Sequence, residues 1–256
     1  MNLVSYSQDS TLFVGNSMIK YDKNHTLEIL EKILENQSKK HYFTDKASDG
    51  TSLYKHLTVL PTHKKFGRNN YSYSTDQIEK AETPAYIIKN KFDNILFQET
   101  PMTVVNDAFF HKKTITAFTK LDSLAVLSGA QVFWLEPYAS IYYHLNKNPK
   151  VNIDSVYQIS HLNFEKLKKI DSNLINIPIA YITKEFKKKY PNQKLNIGGS
   201  HPNDEMQFIL ACCIYYSIYN GLPEDIPHLG LFRREIKEKG LKDYTYLLYN
   251  EYLNKY

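Results

Sequence analysis

Short apolar runs alternate along the chain with longer stretches in which apolar residues recur every three or four positions. The runs are typical of buried strands, and the longer stretches have the period of amphipathic helices. This alternation predicts an α/β protein in which a mostly parallel sheet carries helices on both faces. Strands are predicted near residues 11–15, 40–45, 93–98, 131–136 and 175–181.

The predicted helices lie between these strands. Leu27, Leu30 and Leu34 share one helical face, and longer helices are predicted over residues 108–128 and 153–170. Because each helix separates two strands, the strands are expected to run parallel. The pattern therefore predicts a three-layer α/β/α, flavodoxin-like sandwich with a five-stranded parallel sheet.

Residues 1–256 are expected to form one domain with two additions. The segment at about 60–90 is polar and lacks a clear period, so it is predicted to be an insertion that either covers the site or is a surface excursion. The segment at about 222–256 has a tyrosine-rich amphipathic pattern and is predicted to be a C-terminal helical extension. This extension is expected to pack on the body or on a second subunit, which makes an oligomer possible.

Composition changes this picture little. The chain has 42% hydrophobic and 23% charged residues, which is ordinary for a soluble globular protein. Its net charge is +5, but the lysines are interleaved with acidic residues, so nucleic-acid binding is not favoured. The sequence begins without a basic and then apolar leader and contains no run of ~18 apolar residues. We therefore expect a cytoplasmic protein unless a leader has been removed.

Two polar segments, one near each end of the chain, carry candidate catalytic groups. Gly15, Asn16 and Ser17 directly follow the first predicted strand, so the Ser17 hydroxyl is expected at the carboxyl end of a buried strand. Open α/β sheets place their chemistry at that edge. His201 comes just before residues 203–220, an apolar segment that predicts a buried helix. The histidine can then supply the base that a serine nucleophile needs.

Two further segments lie between these two. Residues 47–56 contain a glycine that opens a short amphipathic stretch, and residues 92–99 form a strand-like run that ends in Gln98 and Glu99. In order and spacing, the four segments resemble the four sequence blocks of the SGNH (GDSL-like) hydrolases, a superfamily of serine esterases. They look most like its bacterial branch with Gly-Asn-Ser in the first block. The resemblance covers most of residues 10–221.

The resemblance implies roles for several residues. Ser17 would be the nucleophile and His201 the general base. The backbone N–H groups of Ser17 and Gly50 would form the oxyanion hole, together with Gln98, which takes the place of an asparagine that donates to the oxyanion in many members. His56 resembles a histidine frequent in the second block, with a purely structural hydrogen bond as the alternative. No metal or cofactor is expected, since the sequence has no metal-binding or phosphate-binding motif.

One position departs from the family pattern. The family usually has an aspartate three residues before the histidine, and here that position is Gly198. The group that would orient the imidazole and stabilise its charged form is therefore missing. Three explanations stay open: a backbone carbonyl orients His201 in a Ser-His dyad, another carboxylate reaches it, or the enzyme is weak or inactive. The candidate carboxylates are those of Asp204, Glu205, Glu99 and Glu136. The first two have a structural alternative, as first-turn acids favoured by a helix dipole.

These groups suffice for acyl transfer. We therefore expect a serine esterase that hydrolyses a small acyl ester, and the resemblance points to an O-acetyl group on a carbohydrate. An acyltransferase with the same site is one alternative, because an alcohol can replace water as the second nucleophile. A catalytically impaired carbohydrate-binding or protein-binding pseudo-hydrolase is another, kept open by Gly198. The expected partner is a small-molecule or carbohydrate ester, and neither nucleic acid nor a membrane is expected.

Overall fold

One parallel sheet of five strands lies at the centre of the molecule. The strands are β1 (Asp9–Val14), β2 (His41–Asp45), β3 (Asn94–Gln98), β4 (Gln131–Leu135) and β5 (Ile175–Ile177). Their order is β2-β1-β3-β4-β5, and every adjacent pair is parallel. The computed structural model describes residues 9–19, 26–37, 39, 41–47, 51–58, 83–104, 106, 109–138, 152–197, 201–223 and 238–256.

Helices connect the strands and cover both faces of the sheet. They are α1 (Thr26–Asn36), α2 (Leu53–Thr58), α3 (Thr83–Asn90), α4 (Pro101–Val104), α5 (Ile115–Leu127), α6 (Ile153–Lys168), α7 (Ile179–Lys189), α8 (Asp204–Tyr219) and α9 (Glu238–Lys255). A π-helical turn, Phe110–Thr114, leads directly into α5. Two short segments, β6 (Asn196–Ile197) and β7 (His201–Pro202), pair antiparallel outside the main sheet. In the described part of the chain, no helix is both long and apolar enough to cross a bilayer.

The alternation of side chains along each strand builds two hydrophobic cores. Phe13 and Leu96 face the core that contains the buried side chains of α1, α7, α8 and α9. Leu12, Val14 and Ile95 face the opposite core, under α2, α3, α5 and α6. Because strand side chains point alternately to the two faces, apolar residues at both parities produce a sheet that is covered on both sides. The predicted three-layer α/β/α sandwich is confirmed.

The last predicted strand is too long. Residues 175–181 form an unbroken apolar run apart from Asn176, but β5 ends at Ile177 and α7 begins at Ile179. Pro178, between them, has no N–H to give to a sheet ladder, and its fixed φ suits a residue next to a helix start. The run therefore divides into a short strand and the buried first turn of a helix.

The C-terminal helix packs on the body. The Tyr216 hydroxyl of α8 donates to the carbonyl of Lys242 at 3.0 Å, and Asn176 Nδ2 of β5 donates to the Tyr252 hydroxyl at 2.7 Å. The extension was expected to pack either on the body or on a second subunit, and these bonds join it to the body. The predicted insertion is described only at its end, where residues 83–90 form α3. This helix packs on α2 and α5.

Candidate active site

Ser17 lies at the carboxyl edge of the sheet, one turn beyond β1. The sheet order reverses between β1 and β3, and open α/β sheets form their ligand crevices at such switch points. Asn16 shapes the turn, because its Oδ1 accepts a hydrogen bond from the backbone N–H of Met18 at 3.1 Å. The Ser17 side chain is buried, with 8% of its surface exposed. The chain thus leaves the buried strand and presents a hydroxyl at its end.

His201 is held by the short hairpin that precedes α8. It pairs with Ile197 across β6 and β7. Asn203 then begins the helix: its Oδ1 accepts from the N–H of Met206 at 3.0 Å, and its Nδ2 donates to the carbonyl of Lys194 at 2.7 Å. Since α8 is buried from Met206 onward, the position of the histidine is fixed by an element of the core.

Folding brings these two side chains together. The distance from Ser17 Oγ to His201 Nε2 is 3.3 Å, although the residues are 184 positions apart in the chain. At this distance a serine hydroxyl can donate to an unprotonated imidazole nitrogen, and such contacts are often loose in the absence of substrate. The arrangement is chemically able to lower the barrier for attack by Oγ on a carbonyl carbon.

Gln98 lies beside the serine turn with its amide unpaired. It is the last residue of β3, and its side chain packs so closely on Gly15 that a Cβ at that glycine would lie 3.0 Å from Gln98 Cβ. Among the described residues, neither Oε1 nor Nε2 of Gln98 has a hydrogen-bond partner, and Asn16 Nδ2 has none either. Buried polar atoms without partners cost about 1–3 kcal/mol each, and in native proteins they often indicate a functional site. Gly50, the other predicted contributor, lies outside the described residues.

His56 contacts the serine turn from the other side. Its Nε2 lies 2.8 Å from the carbonyl oxygen of Gly15, and its Nδ1 lies 3.3 Å from Thr83 Oγ1. Burial lowers the pKa of His56 to about 4, and the charge of Lys46 contributes to this shift against the opposing effect of the bond to Gly15. These two contacts are of the kind that the structural alternative for His56 expects, a hydrogen bond that supports the fold. Its place in the second sequence block was the only signal that could have linked it to Ser17.

Two of the four candidate carboxylates are committed elsewhere. Glu99 is fully buried and accepts from the N–H of Thr100 at 2.7 Å, from Thr114 Oγ1 at 2.7 Å and from the N–H of Leu53 at 3.3 Å. Burial raises its pKa, and these donors oppose the shift. Oε2 thus binds both α2 and the π-helical turn, while Oε1 binds the N–H of Thr100. A role for Glu99 as the partner of His201 stays a prediction.

Glu136 is committed in the same way at the end of β4. It accepts from Asn176 Nδ2 at 2.9 Å and from the N–H of Ala180 at 3.0 Å, so it binds the first turn of α7. Burial raises its pKa to about 7 against these donors. Its role beside His201 stays a prediction, and the bonds shown here bind it to β5 and α7 instead.

The other two carboxylates lie in the first turn of α8. Glu205 accepts from Gln193 Nε2 at 3.1 Å, and Asp204 follows the cap residue Asn203 directly. They are near His201 in sequence and stay candidates for orienting it. The departure at Gly198 lies outside the described residues.

The described side chains offer little for other chemistries. Cys212 and Cys213 are both buried and unbridged inside α8, and burial raises the pKa of each thiol. Within the described ranges, no cluster of three or more His, Cys, Asp or Glu side chains could hold a metal ion.

Comparison with known proteins finds likeness in structure rather than in sequence. No protein-family profile matches the chain, and no curated protein matches it. A protein from a family of unknown function in Bacteroides uniformis is 14% identical, with a TM-score of 0.67, and the match covers 96% of this chain and 95% of that one.

Two other solved structures connect the fold with a class of proteins. A protein of Slackia heliotrinireducens assigned as an SGNH hydrolase is 16% identical, with a TM-score of 0.57, over 83% of this chain and 100% of that one. An acetyl xylan esterase from Geobacillus stearothermophilus is 13% identical, with a TM-score of 0.54, over 83% and 95% of the two chains. The chain has the SGNH hydrolase fold, as its sequence blocks predict.

Proposed function

We propose that this chain, built on the SGNH hydrolase fold, is a serine esterase that hydrolyses a small acyl ester. The observation that carries the proposal is the 3.3 Å distance between Ser17 Oγ and His201 Nε2 at the carboxyl edge of the sheet. A hydroxyl is a weak nucleophile until a base accepts its proton, so this contact supplies what a serine enzyme requires.

The proposed reaction has two halves. In the first, His201 Nε2 takes the proton of Ser17 as Oγ forms a bond to the ester carbonyl carbon, and the carbonyl oxygen becomes an oxyanion. The N–H of Ser17 and Nε2 of Gln98 donate to that oxyanion. When the intermediate collapses, the bond to the alcohol oxygen breaks and His201 returns the proton to the leaving alcohol.

The second half repeats the first with water. His201 takes a proton from water as the water oxygen attacks the acyl-Ser17 carbonyl. When this second intermediate collapses, the bond between the acyl carbon and Ser17 Oγ breaks, the carboxylic acid leaves, and His201 gives its proton to Oγ. Gln98 suits the oxyanion because its Nε2 is buried and has no partner within the described structure, so no existing bond must break.

We propose an O-acetyl group on a carbohydrate as the substrate. The acetyl xylan esterase that shares the fold supports this choice. The support is by analogy, because one fold serves many substrates. Acetylated xylan and an acetylated monosaccharide are therefore the first natural-type substrates to examine, with released acetate as the readout.

The test of esterase activity uses 4-nitrophenyl acetate, whose hydrolysis is followed by absorbance. The wild-type protein should turn it over, and Ser17→Ala should reduce kcat by at least about 10³-fold because the covalent intermediate cannot form. Ser10→Ala is the matched control, since Ser10 bonds to Asp93 at the opposite end of β1. Turnover that survives Ser17→Ala would contradict the proposal. A folded wild-type protein without turnover would favour the alternative of a catalytically impaired pseudo-hydrolase that binds a carbohydrate or a protein.

A further inference from the structure

A buried histidine supports the backbone turn that carries Ser17. Within the turn, Asn16 Oδ1 accepts from the N–H of Met18, and from outside it His56 Nε2 bonds to the carbonyl oxygen of Gly15. His56 lies on α2, whose first residue, Leu53, donates its N–H to Glu99. Only 8% of the His56 surface is exposed. A buried polar ring at this position needs a reason, because burial without hydrogen bonds is costly.

Its hydrogen bonds define the tautomer. The carbonyl oxygen of Gly15 can only accept, so Nε2, at 2.8 Å from it, must carry the proton. In a neutral ring Nδ1 then accepts, and the Thr83 hydroxyl at 3.3 Å is its donor. The lowered pKa of His56 agrees with a neutral ring. The imidazole therefore connects the Thr83 hydroxyl, at the start of α3, with the Gly15 carbonyl, in the turn after β1.

The bond to the Gly15 carbonyl acts on the peptide between Gly15 and Asn16, one peptide before the one that carries the Ser17 N–H. The peptide unit is planar, so the direction of the Gly15 carbonyl also sets the direction of the Asn16 N–H. The next peptide carries the Ser17 N–H, the proposed oxyanion donor. Gln98 also packs against Gly15, where an added Cβ would lie 3.0 Å from Gln98 Cβ. The turn is thus in contact with both β3 and α2.

We propose that His56 is a positioning residue for the esterase reaction: by donating to the Gly15 carbonyl it holds the Ser17 hydroxyl and N–H in their reactive directions. Thr83 completes the support by fixing the ring. Since Thr83 begins α3, the end of the predicted insertion becomes part of the active-site support. The inference rests on the proposed function, because it assigns the turn a role in that reaction.

Three variants test this role on 4-nitrophenyl acetate. His56→Ala should lower kcat by about 10²-fold with KM changed less than about threefold, because a displacement of the nucleophile on the order of 1 Å can have this effect. His56→Gln should recover most of kcat, since its amide nitrogen reaches the place of Nε2. Thr83→Val should lower kcat less than His56→Ala, because the bond to Gly15 remains. The exposed His111→Ala is the control and should leave kcat unchanged.

Thermal unfolding of each variant separates positioning from stability. A merely structural role predicts that kcat per folded molecule stays at the wild-type level in His56→Ala, and that result would overturn the inference while leaving the esterase proposal intact. Failure of His56→Gln to recover kcat, although folded, would overturn it as well. If the wild-type protein shows no Ser17-dependent turnover at all, the proposed function fails and this inference fails with it.

A nitrogen NMR spectrum of the imidazole rings gives a readout independent of activity. At neutral pH, His56 should appear as the neutral Nε2–H tautomer, assigned by the loss of its signals in His56→Gln. A protonated ring, or the Nδ1–H tautomer, would contradict the hydrogen bond to Gly15 on which the inference depends.

Discussion

Two regions of the same sheet edge handle buried polar groups differently. At the ends of β4 and β5, Glu136 accepts from Asn176 Nδ2 and from the first turn of α7, and Asn176 Nδ2 also donates to Tyr252. Asn176 Oδ1 has no partner in the described structure. At the ends of β1 and β3, Gln98 has no hydrogen-bond partner in the described structure, and Ser17 has the mobile proton of a hydroxyl–imidazole contact. The first region uses the carboxylate of Glu136 and the amide nitrogen of Asn176 to bind elements together. In the second, the Gln98 amide has no partner among the described residues, as its proposed role as an oxyanion donor requires.

The difference is visible even between adjacent residues. Gln98 and Glu99 are consecutive at the end of β3 and are both buried. Both oxygens of Glu99 are hydrogen-bonded, whereas neither polar atom of Gln98 has a partner in the described structure. Strand side chains point alternately to the two faces, so neighbours in sequence enter different surroundings. The hydrogen bonds of Glu99 therefore indicate a structural role, and the unbonded amide of Gln98 makes it the functional candidate of the two.

The largest effect should come from breaking the catalytic contact itself. His201→Ala removes the proposed base, and kcat on 4-nitrophenyl acetate is expected to fall by roughly 10⁴-fold or more, as in serine hydrolases that lose a member of the catalytic set. The free energy of unfolding should change little, since His201 is only partly buried. Activity within tenfold of wild type would place the reactive centre elsewhere.

Exchanging one buried carboxamide in each region tests the comparison directly. Gln98→Leu should lower kcat by about 10²-fold to 10³-fold, the usual loss for an oxyanion donor, without loss of stability because no hydrogen bond is broken. Asn176→Leu should lower the free energy of unfolding by about 2–4 kcal/mol, because Glu136 loses a donor inside the core.

The activity of Asn176→Leu per folded molecule should stay near wild type. Chemical denaturation and steady-state kinetics on the same preparations measure both quantities. The comparison is wrong if the two variants behave alike.

The region at β4 and β5 should also have its own pH dependence. Burial raises the pKa of Glu136 from 4.5 to about 7, so the folded protein holds this proton more tightly than the unfolded chain. Its stabilising contribution is then fully present below pH 4.5 and is lost as the pH rises through about 7, by roughly 3 kcal/mol at most. Denaturation at several pH values should show this slope, and Glu136→Gln should reduce it. An unchanged slope in that variant would assign the titration to another group.

The region at β1 and β3 should respond to acid, with the opposite sign. Burial lowers the pKa of His56 from 6.5 to about 4, so the unfolded chain binds this proton more tightly. Its contribution is present above pH 6.5 and is lost as the pH falls toward 4, with about 1 kcal/mol lost by pH 5.5. The same series of denaturation curves measures it. His56→Gln should make the acid slope smaller without abolishing it, because burial also lowers the pKa of His41 and of His161. An unchanged slope would contradict the assignment to His56.

Much of the fold could be predicted from sequence, because β1, β3 and β4 are apolar runs bounded by polar residues. The boundary between β5 and α7 could not, since the apolar run continues through Pro178 and only its missing N–H marks the end of the strand.

The site divides in the same way. Sequence blocks identified Ser17 and His201, whereas the 3.3 Å distance between them depends on the whole sheet and on α8. The sequence does not distinguish the carboxylates of Glu99 and Glu136 from the other candidates. Folding gives each of them donors that the sequence does not indicate: Thr114 for Glu99 and the N–H of Ala180 for Glu136.

The central claim is that His201 activates the hydroxyl of Ser17, and a fluorophosphonate probe tests it most directly because it reacts with activated serines whatever the natural substrate. Peptide mass spectrometry should locate the label on Ser17 in the wild-type protein, and His201→Ala should label at least about 100-fold more slowly. A folded wild-type protein that remains unlabelled, or that labels Ser17 at the same rate without His201, would contradict the account.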